Sequence, residues 1–147
     1  MRSRKLLALA CLFASFVLVS GARAGESLFE QIGGETRLTA TVDSLVEVML
    51  ADERINFAFA QTDLAKFKKL LYDQLCEITG GPCTYRGRNM FEAHKKINAT
   101  NAQFNALAED LYIAFERQGV PYRLQNKVMA LLAPMQPDIV KESTNRR

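Results

Sequence analysis

The chain has 147 residues, 19 Lys and Arg against 16 Asp and Glu, a formal charge of +3 and a single His. Four of the cations, Arg2, Arg4, Lys5 and Arg23, fall in residues 1–24, which hold no acid, so the remaining 123 residues carry −1. That removes the basic excess on which electrostatic binding to nucleic acid depends, and it leaves enough chain for one domain with one core or one buried ligand.

Residues 1–24 read as a secretory signal: a basic start, an apolar run from Leu6 to Val19, and Ala22-Arg23-Ala24 as a small-x-small cleavage site. The run is 14 residues long, short of the roughly 20 that a bilayer span needs. An uncleaved anchor and lipidation at Cys11 are the alternatives. The expectation is an exported, periplasmic protein that meets the membrane only during export, with residues 25–147 as its folded domain.

The rest reads as helix throughout, because no segment alternates with period 2. A short helix over Ser27–Ile32 precedes Gly33-Gly34, and Leu38, Val42, Leu45, Val46 and Met49 then recur with a helical period over Glu35–Ala51. Asp52–Ala60 is a connection whose Phe57 and Phe59 call for burial. Thr62 or Asp63 caps a helix running to about Thr79, with Leu64, Phe67, Leu70, Leu71, Leu75 and Ile78 on one face. Gly80-Gly81-Pro82 stops it. A short helix over about Asn89–Lys96 places Met90 and His94 one turn apart. Thr100–Gln118 repeats Phe104, Leu107, Leu111 and Phe115, and Gly119 ends it. Pro121 suits the first turn of a last helix with Leu124, Val128, Leu131, Leu132 and Met135 as its buried stripe.

Two residue types leave the chemistry open. Cys76 and Cys83, seven apart, can pair in an oxidising compartment, or Cys76 can pack as a small hydrophobe on its helix. With one His they fall short of a four-ligand zinc site. His94 is either an ordinary surface or core side chain or a metal ligand.

The order and spacing of SLFEQIGG (27–34), VDSLVEVMLADERI (42–55), LLYDQLCEITGGPCTYRGRNMFEAH (70–94) and a closing GVPYRLQNKVMALLAPM (119–135) resemble the group I truncated haemoglobins over nearly the whole of the chain after the signal. The resemblance implies an all-α fold, the two-over-two helical sandwich, and haem b (iron protoporphyrin IX) as cofactor. It puts His94, at the end of the Tyr-x-Gly-x-x-Met-x-x-x-His run, on the iron as proximal ligand; a chain with one His has no second imidazole for the other axial position. It also puts Phe59 as a wedge on the porphyrin, Phe67, Leu71 and Leu75 on the distal helix, and Met90, Ala93, Leu107 and Leu111 at the proximal face or haem edge. Thr62, Lys66 and Tyr85 fall where propionates are held. Each apolar member would serve equally as core, and Lys66 equally as a solvated cation.

The departures from the family pattern bear on function. Many members carry a helix-B Tyr and a distal-helix Gln that donate to bound O2, and the matching positions here are Val46 and Leu71. A missing donor forgoes roughly 1–3 kcal/mol, a ~5- to 150-fold weakening for O2; Tyr72 or Tyr85 is the side chain that could still reach in. HKKINAT after the ligand replaces residues that are often glycine, leaving the path to the next helix open. The implied function is a monomeric globin that reversibly binds O2, NO or CO in a largely apolar distal pocket. Alternatives are an NO dioxygenase-like enzyme served by a reductase, a periplasmic electron-transfer protein, and a haem-free helical binding module. A peroxidase is disfavoured because no distal His or Arg is in evidence.

Overall fold

Among the described residues the first helical turn is set by Ser27, whose hydroxyl accepts from the Glu30 amide and starts α1, Leu28–Gln31. The computed structural model describes residues 25–141, so the signal assigned to 1–24 lies outside the described residues. Gly33 and Gly34 follow α1 at φ of 109° and 63°. Side chains are strained in this left-handed region, and the pair lets α1 turn back over α2, Gly34–Ala51. The Phe29 amide then bonds the Thr79 carbonyl, fastening α1 to the end of α3, Leu64–Ile78.

A 3-10 turn over Asn56–Phe59 links α2 to α3. At three residues per turn Phe57 and Phe59 cannot share a face; Phe59 packs inward and Phe57, expected to be buried, is 60 % exposed. Asp63, not Thr62, is the cap of α3, its carboxylate accepting from the Lys66 amide at 3.1 Å. After an irregular segment come α4, Met90–His94, and α5, Asn101–Arg117, the latter opened by a reciprocal Thr100–Gln103 capping box. The intervening HKKINAT stretch is pinned from the far end of the chain. The Lys141 amide bonds the Ala99 carbonyl, and the Lys141 ammonium donates to the Asn98 side chain at 2.7 Å.

Pro121 is the N-cap of α6, Tyr122–Leu132, rather than a residue of its first turn. This helix does not continue to Met135. Pro134 has no N–H for the Ala130 carbonyl, so the chain breaks into a 3-10 turn, Ala133–Met135, and a four-residue α7, Gln136–Ile139. Leu131 is 41 % exposed rather than buried with Leu124 and Val128. The last turn of α6 is aimed by Met129 and Leu132, and at 3.6 residues per turn Leu131 lies roughly 130° around from their mean direction.

The architecture is the all-α two-over-two sandwich: α2 packs broadly on α5 and α3, and α5 packs on α6. One apolar cluster joins Phe29, Leu38, Leu75, Cys76, Phe115 and Val128 across these layers, and a second gathers Val46, Met49, Ile55 and Ala106. Cys76 is fully buried and disulfide-bonded to Cys83 with a Cα–Cα distance of 5.7 Å, so the pairing reading holds and Cys76 is not a free thiol. The short α4 stands apart from this core and packs chiefly against α7.

Candidate functional site

The cavity begins with α3. Positions 67, 71 and 74 fall on one face by helical spacing, and Phe67, Leu71 and Gln74, with Leu70 and Leu75, form one wall of a space of about 390 Å³. The facing wall is α4, positioned by Asn89, whose side-chain oxygen accepts from the Glu92 amide at 2.8 Å. Phe104, Leu107 and Leu111 of α5 close one side, and Leu132, Met135 and Ile139 close another. Such a volume with a predominantly apolar lining is that of a small-molecule or cofactor pocket.

One imidazole reaches this space. His94 is half-buried, and its Nδ1 lies 2.8 Å from the Met90 carbonyl oxygen one turn back on α4. A carbonyl only accepts, so Nδ1 carries a proton, and in the neutral ring this leaves Nε2 as the nitrogen able to ligate. A neutral imidazole oriented through its other nitrogen in this way is ready to ligate a metal. Set in a predominantly apolar lining, this single-nitrogen donor fits a planar metal macrocycle held through one protein nitrogen.

Of the sequence-predicted residues, Phe59, Thr62, Phe67, Leu71, Leu75, Tyr85, Met90, His94, Leu107 and Leu111 all line the cavity, as does Ala93. Lys66 does not; it is exposed on α3, outside the lining. The Phe59 and Phe67 rings meet with centroids 5.4 Å apart and planes tilted by 60°, an edge-to-face contact that closes one corner. Val46 is 3 % exposed and sits behind Phe59 and Phe67, in the second cluster and not in the lining. The α3 side of the cavity therefore owes its apolar surface to Phe67, Leu70, Leu71 and Leu75. Tyr72 packs into the main core and not into the cavity.

Besides His94, polar side chains interrupt the lining at several places, Thr62 and Gln103 among them. The Gln74 amide nitrogen lies 3.4 Å from each of the Met90 and Met135 sulfurs, a pair of weak acceptors within the cavity. Tyr85 turns its hydroxyl onto the Arg88 carbonyl at 2.8 Å. Burial raises the Tyr85 phenol above its ordinary value, and the Arg88 charge partly offsets this. A Cβ on Gly87 would run into the Tyr85 ring and hydroxyl, so only glycine lets the ring fold back there. Arg88, exposed yet part of the lining, is the one fixed cation among the lining residues.

Sequence reading missed Gln74, Arg88 and Ile139 as cavity residues, and took Phe104, Leu132 and Met135 for helix core. Gln74 was findable, being on the same stripe as Phe67 and Leu71. Arg88 was not, because it lies in an irregular segment where no period reports which way a side chain faces.

A profile of the bacterial-like globins matches residues 27–141. The chain is 33 % identical over 115 residues to a group 1 truncated hemoglobin of Tetrahymena pyriformis, covering 78 % of this chain and 95 % of that protein. It is 37 % identical over 109 residues to one of a Synechocystis species, covering 71 % and 88 %. Among solved structures it resembles truncated hemoglobin from Tetrahymena pyriformis in its Fe(III) form, with a TM-score of 0.77 at 32 % identity over 80 % of this chain and 100 % of that one. It also resembles the 2/2 hemoglobin of a Synechococcus species in the cyanomet state with covalently attached heme, with a TM-score of 0.75 at 29 % identity and the same two coverages.

Proposed function

The chain belongs to the bacterial-like globin family, among its group 1 truncated hemoglobins, and from that premise we propose that it is an exported haem protein that binds diatomic gases through His94 and an apolar distal wall. Its cofactor is haem b, which His94 and the apolar lining would hold and which would supply an iron able to bind a diatomic gas. The observation that carries the assignment of His94 is its Nδ1 contact to the Met90 carbonyl, which presents Nε2 as the ligating atom. The role of α4 is to hold that nitrogen in place. Phe59, Phe67, Leu107 and Leu111 exclude water from the slot, and Thr62 and Tyr85 belong to its polar rim.

On the far side Phe67 and Leu71 offer no donor to a gas ligand, which favours CO and NO relative to O2. The protein works as a monomer, and any turnover of NO draws its electrons from a separate reductase. Export is supported by the residue pattern of 1–24 and is consistent with the Cys76–Cys83 disulfide, since such bonds persist in oxidising compartments. The test is optical. Protein purified with haem shows a Soret band that shifts with CO after reduction, and His94→Ala loses the five-coordinate ferrous spectrum and recovers it with added imidazole. An unchanged spectrum in His94→Ala removes His94 from the iron.

A further inference from the structure

The cavity wall is apolar, yet the cofactor it takes is an amphiphile whose two propionate carboxylates must end somewhere polar. Burying an unpaired carboxylate is costly, so the porphyrin enters with these groups at the rim. The lining there offers two neutral hydroxyls, Thr62 and Tyr85, and one fixed positive charge, Arg88. No acidic side chain lines the cavity among the described residues, and the Arg88 guanidinium makes no hydrogen bond or ion pair among them. A free guanidinium at the mouth of an apolar slot is matched to a carboxylate, which it can take with two parallel N–H donors.

Its placement is specified locally. The segment between α3 and α4 has no regular structure, but it is tied at one end by the disulfide to Cys76 and at the other by the Asn89 cap. Between them the Tyr85 hydroxyl holds the Arg88 carbonyl, with the ring folded over Gly87, where no side chain fits. The clasp sets the point from which the guanidinium is launched, and Met90 and His94 follow within the next six residues. Arg86 of the same segment and Lys66 of α3, the neighbouring cations, lie outside the lining.

We propose that Arg88 is the carboxylate anchor of the haem, pairing with a propionate, and that Tyr85 and Gly87 are positioning residues that hold it at the rim. The proposal rests on the haem reading above and sharpens it to one residue and one functional group of the cofactor.

The experiment follows transfer of haem from the holoprotein to an excess of an apoglobin acceptor, using haem and haem dimethyl ester, in which both carboxylates are masked. Arg88→Gln is expected to speed loss of haem by about three- to tenfold, the range for a partly exposed charged pair, and Arg88→Lys to restore part of the difference. With the dimethyl ester, wild type and Arg88→Gln should release at the same rate. Gly87→Ala, which displaces the Tyr85 ring, should resemble Arg88→Gln with haem and wild type with the ester. Equal release of haem by wild type and Arg88→Gln overturns the proposal, as does an Arg88→Gln effect that persists undiminished with the ester. A Gly87→Ala variant that releases haem like wild type overturns the positioning role alone. A wild type without a Soret band defeats the haem reading itself, whereas a normal wild-type band with unaltered transfer in Arg88→Gln defeats only this inference.

Discussion

The most discriminating perturbation of the distal wall is Leu71→Gln, compared with Val46→Tyr. Both restore residue types that related globins use as donors, but the two positions differ in this structure. Leu71 is half-buried and lines the cavity, so a Gln there brings an amide to the open side of the slot. Val46 is 3 % exposed behind Phe59 and Phe67. A tyrosine ring there enters filled space and is expected to lower stability by about 1–3 kcal/mol while presenting no hydroxyl to the ligand unless Phe67 moves. For Leu71→Gln one new hydrogen bond to a partly charged oxygen is worth roughly 1–3 kcal/mol, and at ~1.4 kcal/mol per tenfold it should slow O2 release ~5- to 150-fold. Part of that gain is set against the desolvated amide, so the lower half of the range is expected. Stopped-flow displacement of O2 from the reduced protein measures the rate, and CO release, with little charge on the ligand, should change less than threefold. Equal slowing of O2 and CO would point to a steric gate instead of a donor. Slow O2 release already present in the wild type would refute the reasoning about Phe67 and Leu71.

Other outcomes follow from the same geometry. Cys83→Ser opens a bridge spanning seven positions, and loop-closure entropy puts the loss of stability at ~2.4 kcal/mol, measurable by urea unfolding of the haem-free protein; a loss under about 1 kcal/mol would mean that the segment stays ordered without its bridge. Asp110 is 2 % exposed, with one carboxylate oxygen unpaired, and its carboxyl is held above the ordinary 3.8, first by burial and then by Asp52, with Arg54 opposing and Glu109 adding to the rise. The folded state therefore holds this proton at pH values where the unfolded chain has released it, and stability declines as pH rises from 3.8 through the raised value. Asp110→Asn should be more stable than wild type at pH 7, with the difference closing towards pH 4 in thermal melts, and a constant difference across that range would dismiss the titration as its cause. Phe57→Ser, at an exposed site, should change stability by less than about 0.5 kcal/mol and leave the Soret band in place.

What was legible in the sequence is what periodicity and caps encode. Leu38, Val42, Leu45 and Met49 announced α2, the Thr100–Gln103 box opened α5 where expected, and Gly33-Gly34 and Gly119 marked turns that have positive φ. His94 stood out by being alone, and Phe67, Leu71 and Leu75 by their spacing on a face that now lines the cavity. Illegible parts were of two kinds. A stripe does not say whether it faces core or cavity, which is why Phe104, Leu132 and Met135 read as core and why Val46 read as pocket wall. Irregular backbone has no period at all, so it reports neither the exposure of Phe57 nor the place of Arg88 in the lining. The apolar stripe that runs past Pro134 to Met135 does not report the break that this proline makes in α6.

The packing of α4 on α7 bears on the order of assembly. His94 and its supporting turn lean on Gln136–Ile139, more than forty residues further along the chain, and the Lys141 amide closes the stretch between α4 and α5 from that same end. Contacts of such long separation form late in folding. The turn that carries His94 thus takes its backing from a distant segment, so docking of Gln136–Ile139, and not the pairing of α2 with α3 and α5, is the step that steadies the histidine.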